Sequence, residues 1–271
     1  MSLGEAEQVL VEFLQTCADF ETAPPRVVCP LCRTSRAIYC PTCYQILIEK
    51  SQWPEGIQHL RLPFHLDILL DDRRTSATGI PVGSIFGCSP LSRKSSDPVR
   101  IFDCEKELDE LPSSYGPNTY LLFPGESSQP VSYVAQHGKI DRVVVLDCKW
   151  QQTSIRMHPS VKDLPQIHLD SCPQHSYFWR WHNAGEGRVS TVEAIYFCAW
   201  DVAACIGWNE DKKRNLVHLL WLFGIQREVI RRKYEEDGGV VLHEHMPFTE
   251  EGKQFQRDMR KRVDAHSKKA Q

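Results

Sequence analysis

Four cysteines near the start of the chain constrain its fold more than any other feature. Cys29 and Cys32, and then Cys40 and Cys43, form two Cys-x-x-Cys pairs that are separated by seven residues. Two thiolates spaced in this way can bind one tetrahedral ion from a single tight turn, and a second turn completes the four-sulfur shell that suits zinc. Residues 33–39 are too few to form a core, so we expect the metal to hold this knuckle together.

The same cysteines could also form a disulfide couple, or they could be two chance Cys-x-x-Cys sequences. Turn-forming Pro and Thr residues within the pairs, and the short distance between them, favour one shared ion. Four protein ligands leave no open coordination position, so the predicted zinc is structural. We expect the knuckle to fix the N-terminal segment to the rest of the protein.

Cysteine usage and the first residues indicate the compartment. The chain has 271 residues and 11 cysteines, and its first residues lack the basic and apolar segments of a secretory signal. An odd cysteine count without such a signal is typical of a reducing, intracellular compartment. The most apolar run, Leu216–Ile225, contains His218 and is too short to span a bilayer, so we expect no membrane partner.

Basic side chains are concentrated at the end of the chain, although the net charge is −3. Residues 253–271 hold seven lysines and arginines against two aspartates. Such a tail suits phosphate contacts or a nuclear address, and it is equally typical of a solvated terminal helix. We expect the protein in the nucleus rather than in the cytoplasm.

Short apolar runs predict the strands of an α/β protein. Arg142–Leu146 ends at Asp147, and Thr119–Phe123 is stopped by Pro124 and Gly125. Continuous runs of this kind suit parallel strands that are covered on both faces, and ligands of such sheets bind outside the carboxyl ends of the strands. The further strand candidates are Leu60–Leu70, Val99–Phe102 and Gln166–Leu169.

Helices are predicted at both ends of this region, over residues 3–16, Thr191–Ile206 and Arg214–Glu236. Ser190 and Glu193 form the capping box of the second helix. We therefore expect an N-terminal helix and knuckle over residues 1–58, a catalytic domain over 59–250 and a basic tail over 251–271.

Three segments resemble the signature of the DTW-domain family of tRNA-uridine aminocarboxypropyltransferases: Leu122–Gly125, Asp147–Trp150 and Arg188–Ala194. The likeness runs from the cysteine pairs to the helix after Ser190, and the eukaryotic branch with paired Cys-x-x-Cys is the most similar. The family's Asp-x-Thr-Trp motif carries Lys149 in place of threonine here. Lysine is tolerable if the threonine only caps a turn, whereas activity is in doubt if its hydroxyl binds the donor.

The resemblance implies both an activity and a fold. The activity is transfer of the 3-amino-3-carboxypropyl group of S-adenosylmethionine to N3 of a tRNA uridine, with release of 5′-methylthioadenosine. The fold is SPOUT-like, a mostly parallel α/β sheet flanked by helices with a C-terminal trefoil knot, joined here to an N-terminal zinc knuckle. The periodicity of the sequence gives no sign of a knot, which is very rare in proteins.

Asp147 is the candidate general base, because N3 of uridine is a poor nucleophile until its proton leaves. Alternatively, Asp147 caps the following helix or binds a ribose hydroxyl. The resemblance assigns the donor pocket to segments near Asp147, where a proline ends a strand and a helix N-terminus can bind the methionine carboxylate. The predicted donor-binding residues are Leu122, Phe123, Pro124, Gly125, Asp147, Trp150, Ser190, Thr191 and Glu193.

Arg73, Arg74 and Arg180 are the candidate contacts to tRNA, with ordinary surface charge as the alternative for the first two. Arg180 lies between Trp179 and Trp181, which suit either stacking on an extruded base or packing in a core.

Two other functions compete with the transferase. One is a SPOUT-type RNA methyltransferase that uses the same donor, and the other is a non-catalytic zinc-knuckle RNA-binding protein, an interpretation that Lys149 favours. We expect a monomer or a weak homodimer.

Overall fold

A six-stranded sheet forms the centre of the protein in a computed structural model, which describes residues 4–17, 24–91, 93–105, 107–149, 154–173, 176–178 and 187–236. All neighbouring strands of this sheet are parallel, and their order is β4-β3-β7-β5-β8-β6. The strands are β3 (His65–Asp71), β4 (Val99–Asp103), β5 (Thr119–Leu122), β6 (Gln129–Pro130), β7 (Arg142–Cys148) and β8 (Gln166–His168). A two-stranded antiparallel hairpin, β1 (Val27–Val28) and β2 (Ser35–Arg36), precedes it.

The two most apolar strands, β3 and β7, lie side by side in the middle of the sheet. Their register runs from His65 opposite Arg142 to Asp71 opposite Cys148. Because both strands are covered on both faces, consecutive residues of β3 are buried, as continuous apolar runs predict. The prediction of a mostly parallel α/β sheet is confirmed, and the knot stays a prediction.

Helices cover one face of the sheet and only short segments cover the other. The helices are α1 (Glu5–Cys17), α2 (Gly56–His59), α3 (Ile80–Ile85), α4 (Val131–His137), α5 (Thr191–Cys205), α6 (Glu210–Arg214) and α7 (Trp221–Glu236). On the opposite face, Leu69 and Val144 pack against Leu111, Ile155 and Val161. Short 3-10 helices lie at Lys50–Gln52, Leu108–Glu110, Ser154–Met157 and Asn215–Leu220.

Helix α5 is buried on nearly all of its sides, whereas the sequence predicts one apolar stripe, made of Val192, Ile195, Ala199, Val202 and Ile206. Tyr196, Phe197 and Trp200 are buried along with the stripe residues, and Ile206 at the end of the predicted stripe is 49% exposed. The helix lies between the sheet and the outer helices, so it needs an apolar surface all round.

The predicted helix over Arg214–Glu236 is divided in the structure. Asn215–Leu220 is a 3-10 helix, and α7 begins at Trp221. The Asn215 amide donates to the carbonyl of Gly56, and a Cβ on Gly56 would lie 2.2 Å from the His218 ring. This close contact holds the 3-10 segment against α2.

The N-terminal helix shares the core of the sheet domain. Leu10 is fully buried in the same cluster as Ile68 and Val143, and the Tyr196 hydroxyl donates to the carbonyl of Ala6. The predicted tail over 251–271 lies outside the described residues, as do the last residues of the predicted catalytic domain. Among the helices of the described part, none is both long enough and apolar enough to cross a bilayer.

Candidate metal centre and active-site cavity

The two Cys-x-x-Cys pairs form turns with the same hydrogen bonds. The carbonyl of Cys29 accepts from the Arg33 amide at 3.0 Å, and the carbonyl of Cys40 accepts from the Tyr44 amide at 2.8 Å. Arg33 and Tyr44 follow the second cysteine of each pair, and both have left-handed backbone conformations with φ of 62° and 57°. Each turn thus brings its two thiols to the same side.

The four sulfur atoms converge on one point. The Sγ atoms of Cys29, Cys32, Cys40 and Cys43 all lie within 4.8 Å of one another, and those of Cys32 and Cys40 are 3.5 Å apart. Thiolates bound at about 2.3 Å to a tetrahedral zinc lie about 3.8 Å apart. The cysteine cluster therefore fits a four-sulfur zinc site, as its spacing predicts.

Arg74 joins the cysteine knuckle to the sheet. Its Nε donates to Oδ2 of Asp103 at 2.8 Å, and its Nη1 donates to the Tyr44 hydroxyl at 3.0 Å. Asp103 is a buried residue at the carboxyl end of β4, and Tyr44 is buried beside Cys43. The guanidinium predicted to contact tRNA is thus occupied by contacts within the protein.

A cavity of about 660 Å³ opens at the carboxyl ends of β7, β5 and β8. Apolar side chains on its wall include Leu122, Val145, Leu169 and Phe178. Its polar and charged lining consists of Asp72, Arg73, Ser76, Thr78, Asp147, Lys149, His168, Arg188, Ser190 and Thr191.

Asp147 links the three segments that surround the cavity. It is 5% exposed, and its Oδ2 accepts from the Gly79 amide while its Oδ1 accepts from the Thr191 hydroxyl, both at 2.7 Å. One carboxylate at the end of β7 thus connects the loop before α3 with the first turn of α5.

Burial raises the pKa of Asp147 from 3.8 to about 6, against the opposing effect of hydrogen bonds from Thr191, Gly79 and Thr78. The folded state therefore binds the Asp147 proton more tightly than the unfolded state does. Protonation of Asp147 stabilises the fold fully below pH ~4, and this contribution to the free energy of unfolding is lost as the pH rises through about 6. We expect an Asp147→Asn protein to gain on the order of 2–3 kcal/mol over the wild type between these limits. Urea unfolding of both proteins across this range measures the difference, and parallel pH profiles would contradict it.

Gly79 is required where the loop before α3 meets β7. A Cβ at this position would lie 2.8 Å from Oδ2 of Asp147 and 2.9 Å from Cγ2 of Ile68. We expect Gly79→Ala to displace the Asp147 carboxylate and to weaken ligand binding in the cavity about tenfold or more, since roughly 1–3 kcal/mol is lost with a buried hydrogen bond. Calorimetric titration checks this, with Gly116→Ala as the control because a Cβ there meets nothing within 4 Å. Equal affinities for the two variants would contradict it.

The capping box of α5 is present as predicted, and both carboxylate oxygens of Glu193 accept hydrogen bonds within the protein. The Glu193 carboxylate is completely buried and accepts from the amides of Ser190 and Tyr177, each at 2.7 Å, and from the Ser176 hydroxyl. Glu193 is therefore not among the cavity-lining residues, whereas Ser190 and Thr191 at the start of the helix are.

The structure brings together most of the residues predicted to bind the donor. The cavity-lining ones are Leu122, Phe123, Pro124, Asp147, Ser190 and Thr191, together with Arg73 from the predicted tRNA contacts. Gly125 lies just beyond the lining, where a Cβ would meet the Gln166 side chain at 2.0 Å. Trp150 and Arg180 lie outside the described residues.

The cavity residues that were not predicted from the sequence as site residues include Arg188, Phe178 and His168. Arg188 belongs to a segment that carries the family resemblance, which was the one signal available for it. Nothing in the sequence distinguished His168 from any histidine at a strand end. Burial raises the pKa of the Cys148 thiol, another cavity-lining residue, to about 12.

The protein is a parallel α/β protein with a cavity outside the carboxyl ends of its strands, which is the place where sheets of this kind bind their ligands. The family model of the DTW domain matches residues 28–224, and the chain belongs to the DTW-domain family. The resemblance seen in the sequence is thereby confirmed.

Two relatives carry the same name, tRNA-uridine aminocarboxypropyltransferase 1. The protein from Xenopus laevis is 24% identical over 257 residues, which is 80% of this chain and 84% of the relative. The protein from Xenopus tropicalis is 23% identical over 239 residues, covering 76% and 79% of the two chains. No solved structure matches the chain.

Proposed function

We propose that this protein is an enzyme that transfers the 3-amino-3-carboxypropyl group of S-adenosylmethionine to N3 of a uridine in tRNA and releases 5′-methylthioadenosine. The observation that carries the proposal is the convergence of three family segments on one cavity, at Leu122–Pro124, Asp147 and Ser190–Thr191. The names of the two Xenopus relatives support the transferred group and the uridine of tRNA as its acceptor.

The size and the polarity of the cavity support binding of a nucleoside donor. Its volume of about 660 Å³ is within the range of roughly 300–1,000 Å³ that small-molecule sites occupy. Leu122, Leu169 and Phe178 offer apolar surface for an adenine ring. The start of the 15-residue helix α5 and the nearby Arg188 offer amide dipoles and a cation for the methionine carboxylate.

The chemistry asks the protein mainly for orientation. A sulfonium is already an activated leaving group, so the site must hold the γ-carbon of the donor, rather than its methyl group, in line with N3. Asp147 contributes by fixing the two loops that form the cavity wall. The hypothesis that Asp147 is also the general base stays a prediction.

The RNA is expected to approach the open side of the cavity. Arg73 and Lys149 are exposed cations of the cavity lining, and we infer that they contact phosphates of the tRNA. Lys149 stands where the family motif has threonine, so in this chain a cation replaces a hydroxyl at the entrance.

We infer that zinc fills the four-cysteine cluster and has a structural role. Four thiolates complete a tetrahedral shell, and Arg74 and Tyr44 connect the metal-binding turn to the cavity loop rather than to a substrate.

Incubation of the purified protein with bulk tRNA tests the function, using S-adenosylmethionine labelled either in the carboxyl group or in the methyl group. The expected result is transfer of the carboxyl label to a uridine nucleoside, with the methyl label recovered in methylthioadenosine. Methyl-labelled RNA with S-adenosylhomocysteine would identify a methyltransferase instead. RNA binding without transfer or donor binding would identify a non-catalytic protein.

A further inference from the structure

We propose that His168 is the general base that removes the N3 proton of the target uridine, an inference that rests on the proposed transfer. His168 ends β8, is half-buried and lines the cavity. Imidazole is the side chain used most often for proton abstraction in active sites. The sequence by itself predicts no role for this residue.

A hydrogen-bond chain determines which ring nitrogen of His168 can accept a proton. The Ser128 hydroxyl donates to the carbonyl of Gly125 at 2.7 Å, so its single proton is used there. The Ser128 oxygen lies 2.9 Å from Nδ1 of His168 and must therefore accept from an Nδ1–H group. A neutral His168 then carries its lone pair on Nε2, and among the described residues no hydrogen bond to Nε2 is present.

Asp147 is less suited to removing the N3 proton, because both of its carboxylate oxygens already accept hydrogen bonds within the protein. Each oxygen accepts a hydrogen bond of 2.7 Å, one from Gly79 and one from Thr191. A carboxylate that took up the uridine proton would weaken the bonds that hold the cavity loops. His168 can accept a proton on Nε2 while it keeps its bond to Ser128.

The sheet order places the two residues on opposite sides of the cavity. Strand β5 lies between β7, which carries Asp147, and β8, which carries His168. Two strand spacings separate their backbones by about 10 Å. A donor held beside Asp147 and the start of α5 therefore leaves the side near His168 for the acceptor base.

In the proposed step, Nε2 of His168 takes the proton from N3 of uridine. The N3 electron pair forms a bond to the γ-carbon of the donor, the bond between that carbon and sulfur breaks, and its electrons remain on sulfur as the neutral thioether of methylthioadenosine. His168 then releases the proton to solvent. Charge and atoms balance without a metal or a redox partner.

His168→Asn is the sharpest variant, because the amide nitrogen of asparagine can still donate to Ser128 while the acceptor at Nε2 is lost. We expect kcat for transfer to fall about 100-fold or more, with the dissociation constant of S-adenosylmethionine within about threefold of the wild type. The matched substrate is the same tRNA transcribed with 5-fluorouridine, whose N3–H is more acidic. Loss of the base reduces kcat less on the 5-fluorouridine RNA, so the ratio of wild-type kcat to His168→Asn kcat should be about tenfold smaller on it than on the uridine RNA.

The outcomes separate this role from the function on which it rests. A His168→Asn enzyme that keeps wild-type kcat, or one whose deficit is equal on the two RNAs, would overturn the role of His168 alone. A wild-type enzyme that transfers no aminocarboxypropyl group would overturn the proposed function and this role with it. Ser128→Ala is expected to cause a smaller loss of kcat, since it only releases the Nδ1 side of the ring; an unchanged kcat for this variant would contradict the hydrogen-bond chain.

Discussion

A Cys40→Ser protein is expected to lose its zinc and at least roughly 3 kcal/mol of its free energy of unfolding. Cys40 is completely buried among the other three sulfurs. Tyr44 of the second turn packs into the main core together with Ile38 and Tyr39, whereas the metal supplies the bonds that join the two turns to each other. For a domain of this size the loss corresponds to a fall in Tm of about 6–12 °C.

The structure extends this prediction from stability to the ligand site. Tyr44 follows the second cysteine turn and accepts from Arg74, which lies in the segment that forms one wall of the cavity and leads to Gly79. Loss of the metal releases Tyr44, and we expect the affinity for S-adenosylmethionine to fall as well. The zinc would then fix the N-terminal segment to the cavity-wall loop that contains Arg74, rather than to a surface far from the cavity.

Zinc content, Tm and donor affinity of the same protein sample check this prediction. Cys205→Ser is a matched control, because Cys205 is half-buried, lies outside the cluster and makes only weak sulfur hydrogen bonds. The control should keep one zinc and a Tm near that of the wild type. A Cys40→Ser protein with one equivalent of zinc and an unchanged Tm would show that the cluster is not a metal site.

Asp147→Ala is expected to reduce the affinity for S-adenosylmethionine about 100-fold or more. The substitution leaves the Gly79 amide and the Thr191 hydroxyl without their acceptor in a buried position. Each unpaired donor costs roughly 1–3 kcal/mol unless the loops move to reach water. Either response separates the two walls of the cavity, so binding of the donor is lost before any chemical step.

Asp147→Asn distinguishes an organising role from a role as general base. The asparagine oxygen can accept from Gly79 and its amide can donate to the Thr191 oxygen, so the loops stay in place without a negative charge. We expect this variant to bind the donor within about tenfold of the wild type and to keep most of its kcat. A kcat as low as that of Asp147→Ala, with donor affinity retained, would show that Asp147 is the base after all.

The sequence by itself determined the local features of this protein. The spacing of Cys29, Cys32, Cys40 and Cys43 predicted the ligand set, because residues three positions apart in a tight turn reach the same ion wherever the turn lies. The apolar runs at 142–146 and 119–123 predicted strands, and the Ser190–Glu193 pair predicted the start of α5. Each of these depends on residues that are close together in the chain.

Only the tertiary structure decided which side chains line the cavity. The hydrogen bond between Asp147 and Gly79 joins residues that are 68 positions apart. Arg74, which was predicted to contact RNA, forms an ion pair with Asp103 within the protein. The Glu193 carboxylate binds backbone amides at the start of α5 and does not line the cavity. The order of the strands places His168 at the cavity. Periodicity within one segment cannot specify such contacts, because they arise when strands distant in sequence become neighbours in the sheet.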